Sequence, residues 1–303
     1  MLRLLFLLFT FAGLAAPALA CEMATSKRES VVANYVENGK ECLTAPPGKF
    51  RFDPEMERSF VQKINAERNK RGLSTLIVRE DMRPAARFHS LDMGANGFFG
   101  HKSPKGKGHA FRMSAFDRTL LTHGSAENVA QFGPATCVDS LGNTMDCTLA
   151  PGFELPTRKL VIDDLHAKLM QSEGHRRNIL DPEMTHISLG VARTDTGFYV
   201  TQMFALKIGE LGQSLPLRLK AGDQIASTAT VPGWSVTNFA LARDASPDNL
   251  VANTIPETTR GDVELRVRAE NNLTKTSGGS TTTITEWIYP TGPALTVVAP
   301  TGS

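Results

Sequence analysis

The spacing of apolar positions changes once along the chain, near Gly212. Before that point most recur three or four residues apart, the period of a helix with one buried face. Met56, Phe60 and Ile64 predict a helix from Pro54 to Lys70, with Pro54 in its first turn and Gly72 past its end. Met82, Ala86, His89 and Met93 predict a second over Met82–Met93, placing His89 as a hydrogen-bonded core histidine. A third is predicted over Ala110–Leu121, ending at His123-Gly124, where His123 meets the helix dipole. Val161, Leu165 and Leu169 mark a fourth, capped by Thr157 and broken by Ser172 and Gly174. That break leaves His175 on a bend just past the helix. Ile187, Leu189 and Val191 then alternate, and Phe198 to Leu206 continues after a Thr-Asp-Thr-Gly turn, which predicts two strands.

After Gly212 short alternating runs rich in Thr and Val take over. Asp262 to Ala269 is the clearest half-buried strand, and stretches near 224–231, 234–242, 282–289 and 294–298 resemble it. The spacing predicts a small antiparallel Ig-like sandwich over 213–303. Residues 21–54 show neither period and read as an extended N-terminal arm. The expected organisation is therefore α+β: an arm, a mixed unit over 55–206, and an all-β unit over 213–303 that folds separately.

With 303 residues, 41% of them hydrophobic, the chain can bury two cores. A net charge of +2 is too small for a dedicated nucleic-acid binder, and a monomer is expected. The first twenty residues carry Arg3, an apolar run from Leu4 to Leu14, and Ala18-Leu19-Ala20, a secretory leader cleaved after Ala20. That run is too short for a membrane anchor, and no later segment reaches the length of a span. A secreted or periplasmic protein follows. Cys21 comes directly after the leader, but Ala18 stands where a lipobox has Leu, so lipidation is not expected. Four cysteines in an oxidising compartment allow three pairings. Cys21–Cys42 with Cys137–Cys147 closes the two short loops and is the pairing expected.

Three segments carry candidate chemistry. His101 lies in Gly-Phe-Phe-Gly-His101-Lys-Ser-Pro, a loop whose aromatics position the ring without covering both nitrogens. Glu127 is flanked by small and apolar residues, where a carboxylate needs a partner or a helix N-terminus. His175 follows Ser172-Glu173-Gly174 and has a pKa near neutrality, or serves as a helix cap. Asp139 and Asp146 lack the spacing of a calcium loop. Asn272-Leu273-Thr274 fits a glycosylation acceptor. Neither Gly-x-Ser-x-Gly nor His-Glu-x-x-His is present, which argues against a serine hydrolase and a zincin.

The three segments occur in one order. Ile64-Asn65-x-x-Arg68 and His89-Ser90-x-Asp92-Met93 precede them, and Leu189-Gly-Val-Ala and Thr201-Gln-Met-Phe follow. Over about 55–206 this resembles the CAP superfamily, the cysteine-rich secretory, antigen 5 and pathogenesis-related proteins, in its bacterial SCP-like form. The resemblance implies an α-β-α sandwich whose cleft gathers His101, Glu127 and His175. A fourth family position, often Glu, falls on Ser172, with Glu173 one residue along as the alternative carboxylate. Family members are described as binding metals, lipids or sterols. The expected function is a binding module whose cleft takes a divalent cation, zinc or magnesium, or a small-molecule, lipid or envelope partner. A metal-assisted hydrolase with Glu127 as general base is the alternative.

Overall fold

The computed structural model describes residues 31–133, 137–138, 144–145, 155–243, 247–277 and 280–299. Its helices are α1 (Val32–Thr44), α2 (Pro54–Asn69), α3 (Arg83–Ala95), α4 (His109–Phe116), α5 (Arg158–Gln171) and α6 (Glu173–Leu180). Its strands are β1 (Arg51–Phe52), β2 (Ile77–Val78), β3 (Leu120–Phe132), β4 (Cys137–Val138), β5 (Thr144–Met145), β6 (His186–Arg193) and β7 (Phe198–Leu211). They continue as β8 (Arg218–Lys220), β9 (Ala229–Thr230), β10 (Ser235–Ala242), β11 (Asp248–Asn249), β12 (Gly261–Ser277), β13 (Ser280–Ile288) and β14 (Thr291–Val298).

The three layers expected for 55–206 are present. β6, β7 and β3 form an antiparallel sheet, and odd and even positions on β6 face opposite ways because side chains alternate along a strand. Ile187, Leu189 and Val191 pack with Met56, Phe60 and Ile64 of α2, Val161, Leu165 and Leu169 of α5, and Ile179 of α6. Ala192, Met203 and Ala205 face the other core, with Phe88 and Leu91 of α3 and Met113 and Phe116 of α4. The layers touch most closely at Gly190, where a Cβ would sit 2.3 Å from the backbone of Ala86 and Arg87. Only glycine lets α3 lie so close to the sheet.

Residues 32–44 correct the expectation of an extended arm. α1 buries Val32, Tyr35, Val36 and Cys42 against α3 and α4. Its stripe is diluted by Asn34, Asn38 and Gly39, and Val31 at its N-cap offers no side-chain oxygen. The cap comes from far along the chain: Val32 N–H donates to both Asp262 oxygens at 3.0 Å, and Ala33 N–H to Thr296 Oγ1 at 3.2 Å. A cap supplied from 230 residues away leaves no local signal. Cys42 is buried and disulfide-bonded. Cys21, the leader and the side chains of Cys137 and Cys147 lie outside the described residues.

The third helix also ends earlier than expected, at Phe116. The Asp117 carboxylate accepts from Thr119 N–H and Leu120 N–H, turning the chain out of α4 and into β3. His123 and Glu127 therefore lie on a strand rather than at helix ends.

The C-terminal region is β-rich, but its strands do not pair as a separate two-sheet sandwich. One sheet runs β1-β6-β7-β3-β14-β12-β10-β11, with β14 meeting β3 at Thr291 and Thr122. The inner face of β10, β12 and β14 carries Phe239, Leu241, Leu265 and Leu295, covered by Leu215, Ile225 and Ile255 from irregular segments. Leu121 of β3 joins this core and Ala294 of β14 joins the core around α3. Half-buried Arg118 spans the junction, donating to the carbonyls of Ser114, Ala115, Leu215, Pro216 and Ala294. Apolar alternation marks strands but not whether their sheet continues from an earlier one.

Asp262→Ala removes the cap of α1 and should cost about 0.5–2 kcal/mol in denaturant unfolding. Amide exchange should rise first in 32–36, although the substitution lies on β12. Unchanged exchange there would remove the long-range cap from this account.

Candidate functional site

Beyond Gly124, β3 pairs with β7 on one side and with no strand on the other among the described residues. Two segments wrap this edge, one from each face of the sheet. The loop between α3 and α4 brings His101, and α6 brings His175, with ring centroids 6.4 Å apart at 48°. The exposed carbonyls of the edge are capped by side chains: Asn178 donates to Glu127 O at 3.1 Å, and His109 Nε2–H to Ser125 O at 3.4 Å.

Glu127 points from the edge strand toward α3 and α4 and is buried. His101 Nδ1–H donates to its Oε1 at 3.0 Å, and Arg112 Nη2 to its Oε2 at 2.6 Å. A carboxylate accepts only, so Nδ1 of His101 carries the proton of this contact, and in the neutral ring the Nε2 lone pair is then free. Burial pushes the Glu127 carboxyl up, but the His101 hydrogen bond and the Arg112 charge outweigh it and hold the group below the usual carboxylate range. Arg112 is itself fully buried and also donates to the carbonyls of His101 and Lys107. One guanidinium thus neutralises the carboxylate and pins both ends of the histidine loop. His89 lies beneath, its Nε2–H donating to Gly100 O at 2.9 Å, as expected of a core histidine. Burial, with Arg112 nearby, lowers its pKa to about 4, so it is neutral at neutral pH.

His175 is held by amides on the other face. Asn128 Nδ2 donates to His175 O and to Gln202 Oε1, both at 3.1 Å, and Asn178 Nδ2 donates to Asn128 Oδ1 at 2.9 Å. α6 is fixed by Arg68 of α2, which donates to the carbonyls of Ser74, Ile179, Asp181 and Met184. Burial and the neighbouring His101 keep the His175 ring below its ordinary pKa. The arrangement offers two imidazoles at a sheet edge, one of them oriented by an ionised carboxylate.

A family model for the cysteine-rich secretory protein family, CAP, matches residues 61–204, which include His101, Glu127 and His175. Residues 61–204 form a CAP domain. The uncharacterized protein YkwD of Bacillus subtilis is 32% identical over 148 residues, 49% of this chain and 46% of that protein. The chain thus spans just under half the length of the curated relative it matches. Among solved structures, an extracellular protein containing an SCP domain from Bacillus anthracis is 21% identical with a TM-score of 0.37, over 51% of this chain and 41% of that one. An outer surface protein from Borrelia burgdorferi is 15% identical with a TM-score of 0.39, over 52% and 98%.

A fourth cleft position was expected at Ser172, with Glu173 one residue along as the alternative carboxylate. Ser172 separates α5 from α6 and makes no side-chain cap bond. Glu173 is exposed and pairs with Arg177 one turn on, at 2.7 Å. Its carboxylate goes to α6 itself. The residue that sequence reasoning missed is Arg112. Its helix buries Met113, Ala115 and Phe116 beside it, and a lone arginine in such a stripe calls for a carboxylate. Glu127, isolated among small residues, was the matching half.

A cavity of about 800 Å³ lies elsewhere, lined by His186, Lys207, Glu210 and Thr230 among others. Its Glu210 is already engaged by Arg79, Thr119 and Lys207. Lys207 and Glu210 pair with each other there, so the histidine pair is the stronger candidate site.

Arg112→Met strands a buried carboxylate and should cost about 3–5 kcal/mol, whereas adding Glu127→Gln should return part of that loss. Chemical denaturation of both variants checks this, and additive losses would contradict the pairing. Acid should act in two windows. His89 binds a proton more readily unfolded than folded, so stability falls from about pH 6.5 to about 4. Glu127, whose folded pKa is depressed, adds a loss as pH drops further through that value. His89→Gln, which keeps a donor for Gly100 O, should shrink the upper window and leave the lower one in thermal melts, the remainder coming from His109, His166, His175 and His186, whose burial also lowers their pKa.

Proposed function

We propose that the chain is an exported binding module whose CAP domain takes a divalent cation or a small polar or lipid ligand at His101 and His175. One contact carries this reading: Glu127 fixes the His101 proton on Nδ1 and so presents the Nε2 lone pair outward. A carboxylate behind a histidine orients it as a ligand. Two neutral imidazoles suit zinc better than magnesium, which prefers oxygen donors. Among the described residues no group of three or more His, Cys, Asp or Glu is arranged around a metal, so zinc would have two protein ligands and water. Such a site is weak and open. The leader in residues 1–20 supports export, and no helix among the described residues is long and apolar enough to cross a membrane.

The hydrolase alternative asks Glu127 to abstract a proton from water. Both of its oxygens are occupied, by His101 and Arg112, and its pKa is depressed. A useful general base sits nearer the working pH and reaches its proton. Binding is therefore the better-supported function, with Glu127 as a positioning residue.

Zinc titration calorimetry tests this. Wild type should bind, His101→Ala and His175→Ala should each lose most affinity, and Glu127→Gln should weaken it about 10–100-fold. Binding that survives both alanine variants, or no binding to wild type, would contradict a cation at this pair.

A further inference from the structure

β12 and β13 run on past the rest of the sheet. β10 stops at Ser235, opposite Glu270, while β12 and β13 stay paired from Ala269–Ile288 to Ser277–Ser280. Beyond Glu270 the ribbon has two strands and no third among the described residues. Two strands alone are marginal in water, and three or more with an apolar row are needed for stability.

The outer edge of β13 is not protected as strand edges usually are, by charge, proline or a bulge. Ser280 to Ile288 reads Ser-Thr-Thr-Thr-Ile-Thr-Glu-Trp-Ile, with Glu286 its single charge and no Lys, Arg or Pro. Thr281 to Trp287 are all exposed, with Ile284 at 43% and Trp287 at 58%. β12, by contrast, carries both Glu270 and Lys275 along its own free stretch.

We propose that the outer edge of β13 is a self-association edge, pairing antiparallel with β13 of a second copy about a twofold axis at Ile284. This register uses all nine residues. It sets Ile284 opposite Ile284, Thr283 opposite Thr285, Thr282 opposite Glu286 and Thr281 opposite Trp287. No like charges face each other, whereas an axis at Glu286 would oppose two carboxylates. Within the ribbon Leu273 already pairs with Ile284. The dimer therefore joins Leu273, Ile284, Ile284 and Leu273 into one apolar row across four strands. Each copy supplies the third strand that the other lacks, in an isologous contact that closes without forming fibres.

Sedimentation velocity on the full secreted chain should show twice the monomer mass, and Ile284→Lys should return the monomer with unchanged circular dichroism. Under mild oxidation Ile284→Cys should crosslink to itself. Thr282→Cys and Glu286→Cys should not crosslink alone but should crosslink when the two variants are mixed. A wild type that sediments as a monomer at every soluble concentration overturns the proposal. So does a dimer that survives Ile284→Lys, or self-crosslinking at Thr282→Cys equal to that at Ile284→Cys.

Discussion

A carboxylate taken out of water must be given a cation and hydrogen bonds, or it gives up its charge. Glu127 keeps its charge because Arg112 and His101 meet its two oxygens. Much of the site depends on that pair. Arg112 holds the carbonyls of His101 and Lys107, so the loop is shaped by the guanidinium that neutralises the carboxylate. The tautomer of His101, and so which nitrogen faces a ligand, follows from the carboxylate itself. His89 beneath is kept neutral by the same burial and by the same arginine.

Charged side chains bonded to backbone recur through the molecule wherever a segment must be held without a regular element. Arg68 collects four carbonyls and fixes both the loop after α2 and the end of α6. Arg118 collects five across the junction with the C-terminal strands, and burial lowers its pKa only to about 10, so it remains charged at neutral pH. Asp262 caps α1 from β12. These contacts bind the CAP domain and the C-terminal strands more closely than a change of hydrophobic period suggests.

Much of the fold was legible because it rests on local periodicity. The stripes Met56-Phe60-Ile64 and Val161-Leu165-Leu169 are helices, and Ile187-Leu189-Val191 is a strand. The failures come from side-chain contacts that a hydrophobic period does not register, one of them between distant residues and the others local. α1 carries no cap signal because its cap is Asp262. α4 stops at Phe116 because Asp117 turns the chain, and Leu120 and Leu121 read equally well as helix or strand. Of the site, His101, Glu127 and His175 stood out by their settings, but it was the resemblance to the CAP superfamily that gathered them into one cleft. Glu173 was the alternative to Ser172 for the fourth position that the resemblance implies, and Arg177 four residues on pairs with its carboxylate.

The claim that Glu127 sets the state of His101 is open to direct observation. Long-range ¹H–¹⁵N correlation spectra of the imidazole distinguish its two neutral tautomers. The account predicts a protonated Nδ1 and an unprotonated Nε2 for neutral His101 in wild type, relaxing toward a tautomer mixture in Glu127→Gln. A neutral His101 protonated on Nε2, or a spectrum indifferent to Glu127→Gln, would contradict it.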